Sequence, residues 1–398
     1  MTEFSQMGLS PQTSESLKNM GYTSATPIQA QAIPAALKGR DIMGSAQTGT
    51  GKTAAFAIPV IEGLRQDKSA RAIIITPTRE LAKQILTEAH QLIGRDGSIN
   101  TACIIGGESI GKQFKALKGN ARLIVGTPGR INDHLERGSL NLSQTRYLVL
   151  DETDRMLDMG FTVQIDRILK FMPKQRQTMM FSATMPPSII KLSQSYFNNP
   201  KTVSVGSTTN PVKGINQNTI NVSNSDKFHT LTDQLQKRDG SIVVFVKTKR
   251  GTDRLVKKLN KENFDAKAIH GGLSQNKRNR VIKTFRGKDI RILVGTDVIA
   301  RGLDVPHIEH VINYDLPQIA EDYIHRIGRT ARGENATGEA LSLITPQDGK
   351  QWKAIRRLLD DGQESGSSHG GNGGGHKHKS HKRKRKNRSR RRRYNKAA

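Results

Sequence analysis

The chain contains a single cysteine, Cys103, and it has no apolar run of about 18 residues, the length that a membrane-spanning helix needs. One cysteine excludes a disulfide framework and a zinc site built from several cysteines. Because Cys103 lies in the apolar stretch Thr101–Ile105, we expect a thiol buried in a strand. The sequence also has no secretory signal, so neither export nor membrane insertion is indicated.

Acidic residues are scarce, with 35 Asp and Glu against 64 Lys and Arg, and the formal net charge is +29. From Gly366 onward there are thirteen Lys and Arg and no acid. This stretch is rich in Gly, Ser and His and cannot bury apolar surface, so we expect it to be disordered. Its charge indicates a basic arm for nucleic acid, with a solvated solubility tail as the alternative. We assign its histidines no metal role.

Apolar runs alternate with helix-like segments before this tail, in two successive series. Alternating strands and helices are typical of parallel-sheet α/β domains. The first series of predicted strands is 71–76, 121–126, 147–150 and 177–181, and the second is 241–246, 266–269, 290–295, 310–314 and 340–344. The polar, turn-rich stretch 203–212 lies between the series and is interpreted as a linker. The sequence therefore predicts the α/β class with two tandem parallel-sheet domains.

The segment Ala46–Thr53 has the pattern A-x-x-x-x-G-K-T of a phosphate-binding loop. It follows a short apolar run at 40–45 and precedes 54–60, which has the pattern of a helix start. This strand–loop–helix context favours the phosphate loop over the alternative, a glycine-rich turn that binds no ligand.

Four residues in this loop suit a nucleoside triphosphate. Gly49 and Gly51 allow backbone N–H groups to turn inward around a phosphate chain. The Lys52 ammonium adds a positive charge at the β- and γ-phosphates, and the Thr53 hydroxyl can ligate Mg²⁺. We therefore expect a nucleotide site here.

Three carboxylates follow the apolar run 146–150, which is typical of a buried parallel strand. Asp151, at the predicted strand end, can hold Mg²⁺ beside the hydroxyl of the phosphate loop. Glu152 is placed to orient and deprotonate a water for in-line attack on the γ-phosphate. An acidic solvated turn is the alternative, but a buried strand seldom ends in three carboxylates that have no function.

The stretch His325–Arg332 carries Arg329 and Arg332, which lie three apart and share one face if the stretch is helical. Guanidinium groups bind phosphate oxygens bidentately and stay charged. An arginine supplied across a cleft stabilises the γ-phosphoryl transition state, by about 10³–10⁵ in rate. A solvated basic helix is the alternative. Since only the first series has a phosphate loop, we infer that the second domain supplies these arginines to the same nucleotide.

Together with further segments in the same order, these motifs resemble the DEAD-box RNA helicases, over roughly Phe4 to Leu359. The segment 21–29, with Phe4 upstream, resembles the motif that reads adenine. The segments 77–82, 106–107 and 127–130 resemble RNA-backbone motifs of the first domain, 182–184 the coupling motif, and 245–248, 275–278 and 296–304 motifs of the second domain. Each segment is weak alone, but so many in one order are specific.

The resemblance implies an ATP and Mg²⁺ site and an RNA-binding face. The nucleotide-binding residues would be Phe4, Tyr22, Gln29, Gln47, Thr48, Gly49, Thr50, Gly51, Lys52, Thr53 and Asp304. The catalytic residues would be Lys52, Glu152, Arg329 and Arg332, with the metal held by Thr53 and Asp151, partly through water. The residues that couple ATP to RNA would be Asp154, Ser182, Thr184 and His325. RNA would contact Arg79, Gly107, Thr127, Gly129, Arg130 and Thr296.

Two positions depart from the family's pattern. Thr153 stands where the signature has Ala; it is neither a metal ligand nor a water-activating group, so we expect activity to survive. Its hydroxyl can alter the contact between Asp154 and the coupling motif. Ala331 stands where Gly is usual and predicts a helical backbone between Arg329 and Arg332, because Ala disfavours positive φ.

The family resemblance implies two RecA-like domains that close on ATP and single-stranded RNA and reopen after hydrolysis. The expected division is a first domain at 1–205, a linker at 206–214, a second domain at 215–360 and a disordered basic tail at 361–398. RNA held by phosphates and 2′-hydroxyls leaves little sequence preference in the core. The compact core and short tail resemble bacterial members, so we expect a cytoplasmic protein, although a Lys/Arg-rich tail also has the composition of a nuclear signal.

Two other functions remain open from the sequence. A DNA helicase or translocase is compatible with the phosphate loop and the arginines alone, but the adenine-reading motif belongs to the RNA family. A non-enzymatic RNA chaperone that acts through the basic tail is the second, and the intact catalytic residues argue against it as the sole role. The sequence does not indicate the target RNA, the protein partners or the oligomeric state.

Overall fold

A computed structural model describes residues 2–46, 49–185, 187–205, 214–297, 305, 307–331 and 337–364. In this part of the chain two parallel β-sheets are each flanked by helices on both faces. None of the described helices is long and apolar enough to cross a membrane. The predictions for the linker at 206–213 and for the tail beyond Glu364 lie outside the described residues.

The first sheet has seven parallel strands in the order β3-β4-β2-β5-β6-β1-β7. Its strands are β1 Ile42–Ala46, β2 Arg71–Ile75, β3 Thr101–Ile104, β4 Leu123–Gly126, β5 Thr145–Asp151, β6 Gln177–Ser182 and β7 Lys201–Val205. The helices around it are α1 Pro11–Asn19, α2 Pro27–Leu37, α3 Lys52–Gln66, α4 Arg79–Ile93, α5 Ile110–Lys118, α6 Pro128–Glu136, α7 Thr153–Asp158, α8 Thr162–Leu169 and α9 Pro187–Tyr196. A short 3₁₀ helix, Phe4–Met7, precedes them.

The second sheet has six parallel strands in the order β10-β11-β9-β12-β13-β8. Its strands are β8 Ile215–Asn221, β9 Ser241–Phe245, β10 Ala266–Ile269, β11 Ile292–Gly295, β12 Ile308–Asn313 and β13 Gly338–Ile344. Its described helices are α10 Lys227–Gln236, α11 Lys249–Lys261, α12 Gln275–Arg286, α13 Ala320–Ile327 and α14 Gly349–Glu364, with a 3₁₀ helix at Pro346–Asp348.

Apolar strands explain why both sheets are covered on two faces. Strands β2, β4 and β9 are almost entirely apolar and buried, which is typical of parallel sheets with helices on both sides. In the first half, one core cluster fills each face of the sheet. Since all strands of a sheet run in one direction, the loops after their carboxyl ends meet at one edge, where ligands bind in such folds.

The predicted α/β fold with two parallel sheets is confirmed. Two strands were missed, β7 and β8, and both lie at sheet edges where half-exposed polar residues obscure the apolar pattern. The prediction of a linker beginning at Val203 is wrong, because Val203–Val205 end β7 and pair with β1. The domain boundaries otherwise stay predictions.

The predicted start of a disordered tail at 361 is also wrong, because α14 extends to Glu364. Trp352, Ile355 and Leu359 belong to an apolar cluster with Tyr323 of α13. A helix anchored in this way propagates past its last packed residue, since each added residue forms one more backbone hydrogen bond.

Candidate active site and RNA-binding face

The phosphate loop connects β1 to α3 as the sequence predicts. Gly49 and Gly51 have φ of 85° and 88°, a left-handed conformation that favours glycine, and Gly51 precedes the first turn of α3. The Lys52 side chain is buried and donates a hydrogen bond to the Ala46 carbonyl over 2.7 Å. Thr53 lies in the same first turn, where free N–H groups favour an anion. Gln47 and Thr48 lie outside the described residues, and Thr50 is the turn residue between the glycines.

Gln29 joins the adenine-reading segment to the phosphate loop. Its Oε1 accepts a hydrogen bond from the Thr26 N–H over 2.9 Å, and its Nε2 donates to the Gly51 carbonyl over 3.0 Å. A Cβ on Gly51 would lie 2.3 Å from Nε2, so this contact requires glycine. The amide keeps one N–H and one acceptor lone pair for an adenine edge. Adenine reading by Gln29 stays a prediction.

Phe4 and Tyr22, both predicted to bind the nucleotide, lie against each other. Their ring centroids are 6.2 Å apart with an interplanar angle of 21°. Phe4 is 5% exposed and packs in the core cluster of the first half, whereas Tyr22 is half-buried at its margin. The structure therefore gives Phe4 a packing role as well, and Tyr22 the more accessible ring.

The acidic motif follows β5 at the same sheet edge as the phosphate loop. Asp151 is buried, and burial raises the pKa of its carboxyl to about 7, with the charges of Glu152 and Asp154 adding to the effect and Lys52 opposing it. Glu152 adopts φ 50° and ψ 52°, and its N–H donates to Asp151 Oδ1 over 3.0 Å. A buried carboxyl that ionises with such difficulty suits a site that receives a cation.

Asp154 lies next to the other residues that the sequence predicted to couple ATP to RNA. Its Oδ2 accepts hydrogen bonds from the Thr184 N–H over 2.9 Å and the Thr184 hydroxyl over 3.0 Å, and its N–H donates to Ser182 Oγ over 3.2 Å. His325 Nε2 of the second half lies 3.9 Å from the same Oδ2. Burial alone would raise the pKa of Asp154, but the charges of His325 and Lys52, with N–H hydrogen bonds, hold it below its usual value.

The hydroxyl of Thr153 does not enter this contact. It donates to the Leu150 carbonyl over 3.3 Å, and the side chain is fully buried. The replacement of Ala by Thr in the family signature is therefore accommodated by the backbone of β5.

The arginine stretch differs from the helical prediction. Helix α13 ends at Ile327, and Ala331 has φ 54°, in the left-handed region, so the prediction of a helical Ala331 is wrong. The chain turns because Thr330 is buried and its hydroxyl donates to the Glu309 carbonyl over 2.8 Å, which fixes the backbone against the sheet. Arg329 is 3% exposed and donates from Nε to the His325 carbonyl over 3.1 Å. Arg332 and Asp304 lie outside the described residues.

The predicted RNA-binding residues of the first half gather beside helix α12 of the second. Arg79, at the start of α4, donates to Gln275 Oε1 over 3.3 Å. A Cβ on Gly107 would lie 2.2 Å from Arg79 Nη1, so only glycine permits this approach. Glu80, the next residue, accepts hydrogen bonds from Gln275 over 2.8 Å and from Arg278 over 2.6 Å. These contacts hold the two halves together at the face where RNA is predicted to lie.

The other residues predicted to contact RNA lie just after strands, at the carboxyl edges of the two sheets. Thr127 precedes α6, Gly129 is in its first turn, and Arg130 is 3.5 Å from Asp133 in an ion pair. Thr296 follows β11; it is buried, and its hydroxyl has no hydrogen-bond partner among the described residues. A buried hydroxyl without a partner is costly, which favours a ligand at this position.

Two described residues could contribute ligands to a cation that is also bound by phosphate. In the parts of the chain whose structure is described, no three His, Cys, Asp or Glu side chains converge in a way that could hold a metal. Mg²⁺ is usually bound by one or two carboxylates together with substrate phosphates and water. Asp151 and the hydroxyl of Thr53 fit that pattern, since Asp151 ends β5 and Thr53 lies in the helix turn that follows β1, at the carboxyl edge of one sheet.

Comparisons with known proteins decide the family. Residues 26–192 match the family described as DEAD/DEAH box helicase, and 226–334 match the helicase conserved C-terminal domain. The chain is 44% identical over 359 residues to the DEAD-box ATP-dependent RNA helicase CshA of Geobacillus kaustophilus, a match that covers 90% of this chain and 76% of that protein. The chain belongs to the DEAD-box ATP-dependent RNA helicases.

Solved structures similar to this helicase include two RNA complexes. Dbp5 of S. cerevisiae bound to RNA and ADP BeF3 is 33% identical with a TM-score of 0.82, covering 91% of this chain and 94% of Dbp5. Mss116p bound to ssRNA and AMP-PNP is 28% identical with a TM-score of 0.81, covering 90% and 77% respectively. The prediction of an ATP-dependent RNA helicase is confirmed, which removes the DNA translocase and the purely non-enzymatic chaperone as alternatives.

Arg155 of the helicase was missed by sequence reasoning. Its guanidinium is 2% exposed, and Nη1 donates to Glu152 Oε2 over 2.9 Å, so it orients the predicted water-activating carboxylate. The only sequence signal was an arginine one turn after a catalytic candidate on a short helix.

Arg326 was missed as well. It is completely buried, donates to Asp297 Oδ2 over 2.9 Å and to Asn313 Oδ1 over 3.1 Å, and lies 5.0 Å from the centre of the Phe245 ring. It thus links the ends of β9, β11 and β12 in this helicase. A buried arginine with partners so distant in the sequence has no local signature.

Proposed function

We propose that the first half of this helicase binds ATP and that the second half completes the hydrolytic site. Lys52 and the N–H groups at the start of α3 bind the β- and γ-phosphates, and Glu152 activates the attacking water. This proposal is supported by the position of both groups at one sheet edge and by the ion pair that orients Glu152. The observation on which it depends most is that Lys52 and Asp151 are both buried at this edge, with Glu152 next to Asp151 and held by Arg155.

The metal in this proposal is Mg²⁺, held by Thr53 and Asp151, partly through water. When bound, it neutralises charge on the β- and γ-phosphates. Asp151 contributes a buried carboxylate that is most favourably ionised next to a cation, because its pKa is raised to about 7 without one.

The second half contributes positive charge to the transition state. Arg329, and Arg332 beyond the described residues, are proposed to contact the γ-phosphate. The position of Arg329 next to His325 supports this, since His325 lies against Asp154 of the first half. Asp154, Ser182, Thr184 and His325 are proposed to couple domain closure to the nucleotide.

RNA is proposed to lie across Arg79, Gly107, Thr127, Gly129, Arg130 and Thr296. Arginine, glycine backbone and threonine hydroxyl suit phosphates and 2′-hydroxyls better than base edges, so the core binds with little sequence preference. The contacts of Glu80 with Gln275 and Arg278 favour the closed arrangement in which both halves reach one strand.

We further propose that the helicase is cytoplasmic, that its RecA-like domains correspond to 1–205 and 215–360, and that a basic tail follows α14. The tail adds affinity for RNA that does not depend on sequence, because its thirteen cations meet phosphates only.

Replacing Glu152 by Gln tests the proposed chemistry. The amide keeps the shape and loses the base, so ATP and RNA should stay bound while hydrolysis stops. The measurements are single-turnover ATP hydrolysis and the lifetime of the RNA complex by stopped-flow fluorescence. Glu136→Gln is the matched control, since Glu136 is exposed and pairs only with exposed Arg167 among the described residues. Hydrolysis near the wild-type rate in Glu152→Gln would contradict the assignment.

A further inference from the structure

The positive charge of the second half is concentrated in one segment. Residues 247–289 contain fourteen Lys and Arg against four Asp and Glu, whereas the rest of 215–360 has twelve against thirteen. The segment comprises α11, β10 and α12, and β10 is the edge strand of the sheet. A single flank of the sheet therefore carries the whole charge excess of this half.

Four of these cations form a line along α11. Arg250, Arg254, Lys257 and Lys261 are spaced by four, three and four residues, a spacing that places them on one helix face. We call this line the α11 ridge. All four are exposed, while Thr252, Leu255 and Leu259 bury the opposite face. At about 1.5 Å per residue, the ridge is roughly 16 Å long.

The ridge has one acid beside it, which lies one turn from Arg250 and from Lys257 and forms no ion pair with either in the described structure. Asp253 is the only acid in α11, and it accepts a hydrogen bond from His270 over 3.0 Å. Lys258, which is not on the ridge, lies 5.2 Å from the centre of the Phe228 ring. Across the described ranges of the chain, no ion pair involves any ridge residue. Like charges one turn apart destabilise a helix, so the arrangement opposes folding and favours an external anion.

The ridge begins where RNA is proposed to bind. The cap of α11 is Thr248, whose hydroxyl accepts a hydrogen bond from the Gly251 N–H over 3.0 Å, directly after β9. Thr296 follows the neighbouring strand β11 at the same edge. The ridge then runs away from this edge, and its far end lies beyond one Debye length, about 8 Å at physiological salt.

We propose that the α11 ridge binds the phosphate backbone of RNA that extends beyond the proposed RNA-binding face. The inference rests on that proposed face. A single helix with cations at successive turns follows one strand of a polyanion. The outer face of α11 has no aromatic side chain, so it has nothing on which to stack a base, and recognition is independent of sequence. The ridge therefore binds RNA outside the segment that the proposed RNA-binding face holds.

The test neutralises the three distal ridge residues, Arg254→Gln, Lys257→Gln and Lys261→Gln. Arg250 is kept unchanged because it is the ridge residue nearest the proposed RNA-binding face. Gln has nearly the helix propensity of Lys and Arg, so α11 should form. The matched control is Lys38→Gln, Lys68→Gln and Lys174→Gln, three exposed lysines that precede β1, β2 and β6, at the opposite edge of the first sheet. Both variants lose three positive charges.

Affinity is measured at several salt concentrations for two RNAs. One is the shortest oligonucleotide that saturates ATPase stimulation of the wild type, and the other is the same oligonucleotide extended at both ends. For the extended RNA, the ridge variant should lose about 2 from the magnitude of the slope of log K against log salt, since each single-strand phosphate contact contributes about 0.7. For the short RNA, the ridge variant should match the wild type.

A charge-preserving variant, Arg254→Lys with Lys257→Arg and Lys261→Arg, should restore the slope and affinity for the extended RNA. An equal loss for both RNAs, an equal loss in the control variant, or no loss at all would each overturn the proposal. If no RNA of any length stimulates the ATPase of the wild type, the proposed function fails instead. If the short RNA stimulates the ATPase and the ridge variant binds the extended RNA as tightly as the wild type does, the proposal for the α11 ridge fails while the proposed function stands.

Discussion

The two sheets share one strand order and differ in the loops that their strands enter. Numbered within its own half, each sheet has the order 3-4-2-5-6-1, and the first adds β7 beside β1. After its first strand, one half has the phosphate loop, and the other has a short turn into α10. After its fifth strand, one half has Asp151 and Glu152, and the other has Tyr314 and Asp315. The fold therefore decides where loops meet, and the loop residues decide the chemistry.

The two halves also differ in where charge is placed. At the carboxyl edge of the first sheet, the carboxylates of Asp151 and Asp154 are buried near Lys52, and the pKa of Asp151 is raised to about 7. In the second half, Arg326 and Arg329 are buried, but the excess of positive charge lies in the segment that contains α11 and α12, where the four ridge cations are exposed. The first half favours a bound cation and nucleotide, whereas the second half presents a surface for a polyanion.

The largest effect should come from removing the phosphate-binding charge of the first half. Lys52→Ala should lower ATP turnover by roughly 10³-fold or more, because Lys52 is the cation that the phosphate loop buries beside Asp151. The measurement is steady-state ATPase with saturating RNA, and circular dichroism checks the fold. Lys174→Ala, an exposed lysine, is the control. Turnover within twofold of wild type would place the nucleotide elsewhere.

A smaller effect concerns the buried charge itself. Because the pKa of Asp151 in the folded state, about 7, exceeds the ordinary value of 3.8, the folded protein holds the extra proton between these pH values. Stability therefore falls as pH rises through this window, and the penalty is complete above pH 7. Asp151→Asn should stabilise the ligand-free protein by about 1–3 kcal/mol at high pH and by less at low pH.

Thermal unfolding without nucleotide or metal at pH 5 and pH 8 measures this effect. Asp133→Asn is the control, since Asp133 lies at the surface and Arg137 holds its pKa below the usual range. A stabilisation of equal size at both pH values would show that the carboxylate charge is not the cause.

The smallest effect concerns Ala331 in the second half. Its φ of 54° costs about 1–2 kcal/mol for a residue with a Cβ, whereas glycine gains unfolded-state freedom worth about 0.4–1 kcal/mol. Ala331→Gly should therefore stabilise the protein by roughly 0.5 kcal/mol in urea unfolding. Ala354→Gly, on an exposed face of α14, should instead destabilise by about 1 kcal/mol. Destabilisation of similar size in both variants would refute a strained turn.

Much of this architecture is predictable because its signals are contiguous in the sequence. The apolar strands β2, β4 and β9, the phosphate loop and the acidic motif each combine a buried run with the functional residues that come after it. The predicted contact between Asp154 and Thr184 depends on the parallel pairing of β5 with β6, which the series of strands also implied.

The features that were missed depend on partners distant in the sequence or on exposure. Arg326 contacts residues at or just after the ends of three strands, and the edge strands β7 and β8 are too polar to be distinguished from loops. Ala331 was predicted as helical from its own propensity, whereas the buried Thr330 fixes the turn through Glu309. Tertiary anchoring overrode local preference there.

The second half is proposed to supply positive charge to a nucleotide that the first half binds. The direct measurement is Arg329→Ala, with ATP affinity and RNA-stimulated kcat determined on the same preparation. We expect ATP affinity within a few-fold of wild type and a kcat lower by about 10³-fold or more, the usual effect of losing an arginine at the γ-phosphate. A kcat within tenfold of wild type, with RNA still bound, would contradict it.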